Sequence, residues 1–366
     1  MAQHTMTHQR TVEPIIDLLD DEPRDIGTKT LDDRLALSGS LIGALALDWV
    51  CYEVLLGWSG TLGFVVMWFV LFLGLYAAVT AVAHPIPIVR DRVAAAVITG
   101  GAAIVGLALL TTLVYTFARG FPAFRHINFY TQDMAGIGPN DPLTKGGILH
   151  AITGSAIEVG IAVLIGLPLG IGTAVFMTEV RGKGARLVRT VVEAMTALPD
   201  IIAGLFVYTT LIVGLGTSRT GFAASMALTI MLIPIVARAA DVALRVVPGG
   251  LREASQALGA SQWQTVRRVV LPTARSGLAT ALILGIARIV GETAPVLITS
   301  GASTFLNVNP VVNPMNSLPL FALSSVRGSQ PNYITRGFGA ASVLLALVLI
   351  LFVTTRFLAR QRVGKR

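Results

Sequence analysis

The chain has 366 residues, of which 54% are hydrophobic and only 13% are charged, and its mean hydropathy is +0.73. A soluble domain carries about a quarter charged residues, so the composition excludes an ordinary soluble protein and points to an integral membrane protein. The net charge of +8 does not mark a nucleic-acid binder, because the basic residues follow membrane topology, and a single cysteine, Cys51, excludes an intramolecular disulfide framework or a cysteine-cluster metal site.

Residues 1–34 hold eight Asp/Glu against four Lys/Arg. That is the wrong start for a cleavable secretion signal, and the acidic, aromatic-poor composition predicts a disordered tail. Eight apolar stretches follow, at about 36–57, 61–83, 93–117, 150–178, 194–215, 221–244, 276–299 and 337–358. Each is near the roughly 20 residues needed to cross a bilayer core. Continuous hydrophobicity predicts helices, because lipid offers no partner to an open sheet edge. The expected fold is therefore all-α and polytopic, with about eight transmembrane helices. The predicted organisation is an acidic tail (1–34), a transmembrane hairpin extension (35–92), a six-helix core (93–360) and a basic tail (361–366).

Basic residues orient the spans. With the N-terminus inside, segments 84–92, 179–193, 238–275 and 356–366 hold two, four, six and five Lys/Arg, and the opposite segments 58–60, 118–149, 216–220 and 300–335 hold none, three, one and one. Both termini are predicted to be cytoplasmic. The two long outer loops, 118–149 and 300–335, are rich in Gly, Pro, Asn and Ser and are placed to receive a partner protein. Inside the spans, Asp48 and Glu53 read as helix-packing or interface residues. Glu158 fits a substrate path or a helix interface equally well. Gly166-Leu167-Pro168-Leu169-Gly170 predicts close helix packing. His84, His126 and His150 are scattered without metal-ligand spacing.

Between the sixth and seventh spans lies a polar segment, 248–272. Pro248-Gly249-Gly250 ends one helix; Glu253 is expected in the first turn of the next, where a carboxylate complements the helix dipole. Leu251, Ala254, Ser255 and Leu258 fall on one face. Gly259 suits a left-handed cap, and Leu271-Pro272 is expected to close the segment before the seventh span. In that span Arg288 and Glu292 each cost roughly 2.5–3.5 kcal/mol to insert. They share a helix face, yet Arg before Glu is the weaker order for such a pair. Two readings stay open: an interhelical lock, or an anion path in which the guanidinium fork meets oxyanion oxygens. Pro295 is expected to loosen the helix beside them. No G-x-x-x-x-G-K-[ST] occurs in the chain, so a phosphate-cradling nucleotide loop is absent.

The run Glu253-Ala254-Ser255, three residues, Gly259, nine residues, Val269-Val270-Leu271-Pro272 resembles the EAA loop of bacterial ABC-importer permeases, with Ser255 and Val269 as conservative departures from Ala and Ile. Leu284 to Arg288 with Gly291-Glu292-Thr293-Ala294-Pro295, and Leu198-Pro199-Asp200 through Phe206, resemble the PstA family of phosphate-specific ABC transporter permeases. The sister family, PstC, carries Met-Ala where Ala294-Pro295 stand. The resemblance covers about residues 93–360, and Asp200 stands where the family usually has Ser.

The resemblance implies a permease subunit importing inorganic phosphate across the bacterial inner membrane, with no cofactor of its own and no enzymatic activity. ATP would be bound by two copies of an ATPase, PstB, and the other implied partners are PstC, the phosphate-binding protein PstS and membrane lipid. The ATPase would couple through Glu253, Ala254, Ser255, Gly259, Leu271 and Pro272, and the substrate path would include Arg288, Glu292 and Thr293. Rival readings are a permease for molybdate or sulfate, an ion-coupled secondary transporter, for which no internal repeat is visible, and a membrane enzyme, for which no catalytic constellation is visible.

Overall fold

The computed structural model describes residues 31–180 and 182–360. The acidic tail expected over 1–34 thus lies outside the described residues as far as residue 30, and so does the basic tail 361–366. The described chain is helical, with no strand beyond one isolated bridge between Gly301 and Met315. Seven of its helices are long and apolar enough to span a membrane, or eight if one sharply bent pair counts as a span. The chain divides into two compact units, Met1–Leu109 and Leu110–Arg366.

The first unit is built on a hairpin. Helix α1 (Leu31–Trp49, continuing in π geometry to Leu55) is followed by α2 (Thr61–Ala83) and by the first part of α3 (Ile86–Phe124). Gly57 and Gly60, both at positive φ, turn the chain. The Tyr52 hydroxyl closes the turn by donating to the Gly60 carbonyl at 3.1 Å. Ala44 packs with Phe72 and Tyr76, whose rings stack. Asp48 is fully buried on the same α1 face, and Arg92 pairs with Asp33 at 2.5 Å.

The second unit is organised around α8 (Gly221–Arg245), the most buried of the spanning helices. It packs along α5 (Leu149–Glu179), where a side chain on Gly166 would meet Leu232 at 3.0 Å and one on Gly170 would meet Val236 at 2.8 Å. The glycines let two backbones approach, as apolar helices in lipid require. From the other side, Gly285 of α11 (Leu271–Val290) approaches the same Leu232 and Val236. Three helices therefore share one small-residue seam.

The stretch expected to cross as one helix over 194–215 does not. It forms α6 (Lys183–Ala197) and α7 (Asp200–Val207, in π geometry to Gly214), bent by 100°. Pro199 supplies the cause: its ring pushes Leu198 into extended backbone, ψ 138°, and ends α6.

The seventh span also differs from the reading 276–299. It starts at Gln262 and runs to Val290, through the π segment Val266–Val270. Pro272 therefore sits inside this continuous run, just after the π segment, rather than closing the preceding segment. The helix breaks at Gly291–Thr293 and restarts as α12 (Ala294–Thr299), with Pro295 in its first turn.

On the side opposite α9 (Gly249–Ala257), the two long loops are bonded to each other. Met134 N–H donates to the Thr304 carbonyl at 2.9 Å, and Leu306 N–H to Asp133 Oδ2 at 2.8 Å. Short α4 (Asn128–Thr131) and α13 (Leu318–Val326) sit in this layer, beneath which Phe129, Met134, Ile148 and Phe321 form a core. Arg336, at the start of α14 (Pro331–Arg360), is buried and its Nη2 donates to the carbonyls of Asp141, Pro142 and Lys145.

Candidate functional site

The bend before α7 and the break after α11 face each other. Gly204 of α7 lies against Pro295, where a side chain would meet the proline Cα at 2.6 Å. This close approach sets Asp200, the first residue of α7, beside Arg288 in the last turn of α11. Arg288 Nη2 donates to Asp200 Oδ2 at 2.8 Å, and Nη1 donates to Glu292 Oε1. One guanidinium thus bridges two carboxylates. The two differ in access: the Glu292 side chain is 8% exposed, that of Asp200 38%, and that of Arg288 52%.

Arg288 and Asp200 line a cavity of about 410 Å³ whose other walls include Thr196, Phe206, Met231 and Pro234. The cavity is mostly apolar-walled, and its lining carries one guanidinium and the carboxylate paired with it. Thr293, expected in the path, heads α12 and makes only a long contact, Oγ1 to the Gly291 carbonyl at 3.5 Å.

Of the predicted path residues, Arg288 and Glu292 meet directly, and Thr293 does not join them. The Asp200 contact was not foreseen. Asp200 and Arg288 are 88 positions apart, and no local pattern links them. Glu158, left open between path and interface, is a helix-interface residue: it is buried and bonds Ser300 at 2.5 Å, and Ser300 also contacts the Met315 carbonyl at 2.7 Å.

The second candidate surface is α9 with the turn that follows it. Glu253 is the fifth residue of α9, not part of its first turn as expected, because the helix starts at Gly249. Glu253 and Ala254 are exposed, while Ser255 contacts Thr265 Oγ1 at 3.0 Å and ties α9 to the next helix. Gly259 turns the chain with φ +83°. Ser261 and Gln264 then form a reciprocal capping box at the start of α10 (Gln262–Thr265). Leu258 is 90% exposed and Trp263 is also exposed, an apolar display on a polar face. Leu271 is partly buried against the core of α5 and α8.

Sequence reasoning missed the fastening of this surface. Arg252 Nε and Nη2 reach Glu179 Oε1, the last residue of α5, at 3.1 and 3.0 Å. Its Nη1 and Nη2 also cap α8 through the carbonyls of Val247 and Leu244, at 2.7 and 3.0 Å. Gln262 Nε2 donates a further bond to the Glu179 carbonyl at 2.8 Å. Beside it, Asp241 accepts from Arg189, Arg245 and Thr178. Among the described residues no cluster of three His, Cys, Asp or Glu is placed to hold a metal ion.

Residues 166–366 match the family described as "Binding-protein-dependent transport system inner membrane component". The chain is 37% identical over 257 residues to the phosphate transport system permease protein PstA 1 of Mycobacterium tuberculosis (strain ATCC 25618 / H37Rv), covering 68% of this chain and 83% of that protein. It is 36% identical over 256 residues to the phosphate transport system permease protein PstA of Haemophilus influenzae (strain ATCC 51907 / DSM 11121 / KW20 / Rd), covering 69% and 88%. A chain from the crystal structure of a bacterial alginate ABC transporter, in complex with an alginate pentasaccharide-bound periplasmic protein, aligns over 75% of this chain and 96% of its own. Its TM-score is 0.55 at 16% identity, a likeness of fold alone.

Proposed function

The chain belongs to the binding-protein-dependent transport system inner membrane component family and, within it, to the PstA permeases, and we propose that it is the transmembrane subunit of an ATP-driven importer of inorganic phosphate. The observation that carries this reading is Arg288: a guanidinium inside the spanning core, half exposed to a cavity and paired with two carboxylates. Phosphate would pass this point by exchanging with a carboxylate on the guanidinium fork, a bidentate geometry that Lys does not reproduce.

The energy comes from a separate ATPase, two copies per transporter, one of which docks on α9 through the face that carries Glu253, Ala254 and Leu258. Closure of the ATPase pulls α9, and Arg252 carries the pull to the ends of α5 and α8. Those helices and α11 share one seam, so their displacement changes the cavity that holds Arg288. A sister permease, PstC, completes the pathway, and PstS delivers phosphate to the bonded outer loops. Both termini face the cytoplasm, in keeping with the asymmetry of Lys and Arg along the chain.

Affinity purification of the tagged subunit from membranes is expected to recover an ATPase and a second permease. Vesicles holding that complex with ATP inside should accumulate phosphate when PstS is supplied. Accumulation of molybdate or sulfate in place of phosphate would contradict the reading.

A further inference from the structure

The site around Arg288 contains one cation and two carboxylates, and these are unequal. Glu292 is almost enclosed and follows Arg288 by four residues, in the break just after α11. Asp200 comes from a different element, is far more exposed, and borders the same cavity as the guanidinium. A phosphate oxygen arriving at Arg288 meets Nη2 already occupied by Asp200. Three anionic groups cannot crowd one guanidinium without strong repulsion. The group that can yield by a side-chain rotation is Asp200.

We propose that Asp200 is an exchangeable internal ligand of Arg288, a built-in competitor that occupies the anion site when it is empty and speeds anion release by reclaiming the guanidinium. This deepens, and rests on, the reading of the cavity as a phosphate path. Without the competitor, Arg288 holds phosphate longer. The pathway then turns over more slowly, and phosphate accumulated on the release side re-occupies the site more readily.

The position of Asp200 is well suited to this role. It opens α7 directly after the Pro199 bend, and the Gly204–Pro295 approach holds α7 against α12, so Asp200 returns to the same place after each exchange. Asp200→Asn removes the charge and keeps the size, Asp200→Ser shortens the side chain as well, and Asp200→Glu keeps a carboxylate.

The test uses vesicles containing the whole importer, with radiolabelled inorganic phosphate as the probe, PstS outside and ATP inside. For wild type and each variant, the maximal uptake rate and the inhibition of uptake by phosphate preloaded inside are measured. Loss of one charged hydrogen bond's worth of competition corresponds to about a tenfold change. In Asp200→Asn and Asp200→Ser the maximal rate should fall about tenfold and half-inhibition should appear at about tenfold lower internal phosphate, while Asp200→Glu should stay near wild type in both. A structural role alone lowers the rate without moving the inhibition constant, and that result would overturn the proposal. So would unchanged values in either neutral variant. Failure of the underlying phosphate reading has a separate signature, because the wild-type importer would then show no phosphate uptake at all.

Discussion

Arg252 and Glu179 join the polar loop between two spanning helices to the membrane core: the Arg252 guanidinium reaches Glu179 Oε1 at 3.0 and 3.1 Å while capping the end of α8. Both side chains are largely buried, and the pair is the point where α9 grips α5 and α8 together. If α9 receives the ATPase stroke, this grip transmits it. Arg252→Ala should leave the ATPase bound and hydrolysing while phosphate uptake falls at least about tenfold, since charged hydrogen bonds each carry about 1.5–3 kcal/mol. Phosphate accumulated per ATP hydrolysed is the measurement; an unchanged ratio would show that the stroke travels by another route.

The turn after α9 is expected to be intolerant of side chains. Gly259 has φ +83°, where a non-glycine residue costs about 1 kcal/mol or more. No atom lies within 4 Å of the side-chain position, so the cost of Gly259→Ala is that backbone strain alone, and uptake should fall in part. Gly259→Asp adds a charge at the proposed docking surface and should abolish both uptake and co-purification of the ATPase, with the permease still inserted in the membrane. Wild-type ATPase recovery with the Asp variant would count against docking at this turn.

The seam of α5, α8 and α11 predicts a stability effect separate from function. Gly170→Val drives methyl groups toward Val236, already 2.8 Å from where the new Cβ would sit. Overpacking of this kind costs about 1–3 kcal/mol. Thermal unfolding in detergent should shift to lower temperature, whereas Gly172→Ala, with open space around it, should leave the midpoint in place.

The α1–α2 hairpin should be dispensable for transport. Removing both helices deletes two spans and so preserves the side on which α3 begins. A chain begun at Pro85 should insert in the same orientation and retain most of its phosphate uptake. Inverted cysteine accessibility, or loss of uptake with normal assembly, would contradict this.

Much of the architecture was legible because hydrophobicity in lipid is a long-range, additive signal: the first four apolar stretches and the sixth and eighth became helices close to where they were read. The misses lie where single prolines act. Pro199 was contained in a stretch read as one span, but its effect on Leu198 bent that stretch by 100°. Pro272 was read as a stop, but the helix runs through it, with π geometry in the turn just before. The Arg288–Glu292 pair was legible because four residues separate the partners. Asp200 and Arg252 were not assigned their contacts, because 88 and 73 positions separate them from Arg288 and Glu179 and only the packed helices bring them together.

The central claim is that Arg288 contacts the transported anion rather than serving as a structural lock. Uptake of radiolabelled phosphate by the whole importer in vesicles, at verified subunit levels, tests it through three variants. Arg288→Lys keeps the charge but loses the planar fork, and should reduce uptake sharply; Arg288→Gln should reduce it further. The charge-reversed pair, Arg288→Glu with Glu292→Arg, keeps an ion pair but sets a carboxylate where the guanidinium faces Asp200 and the cavity, and should remain inactive. Recovery of near wild-type uptake by that double variant would contradict the account.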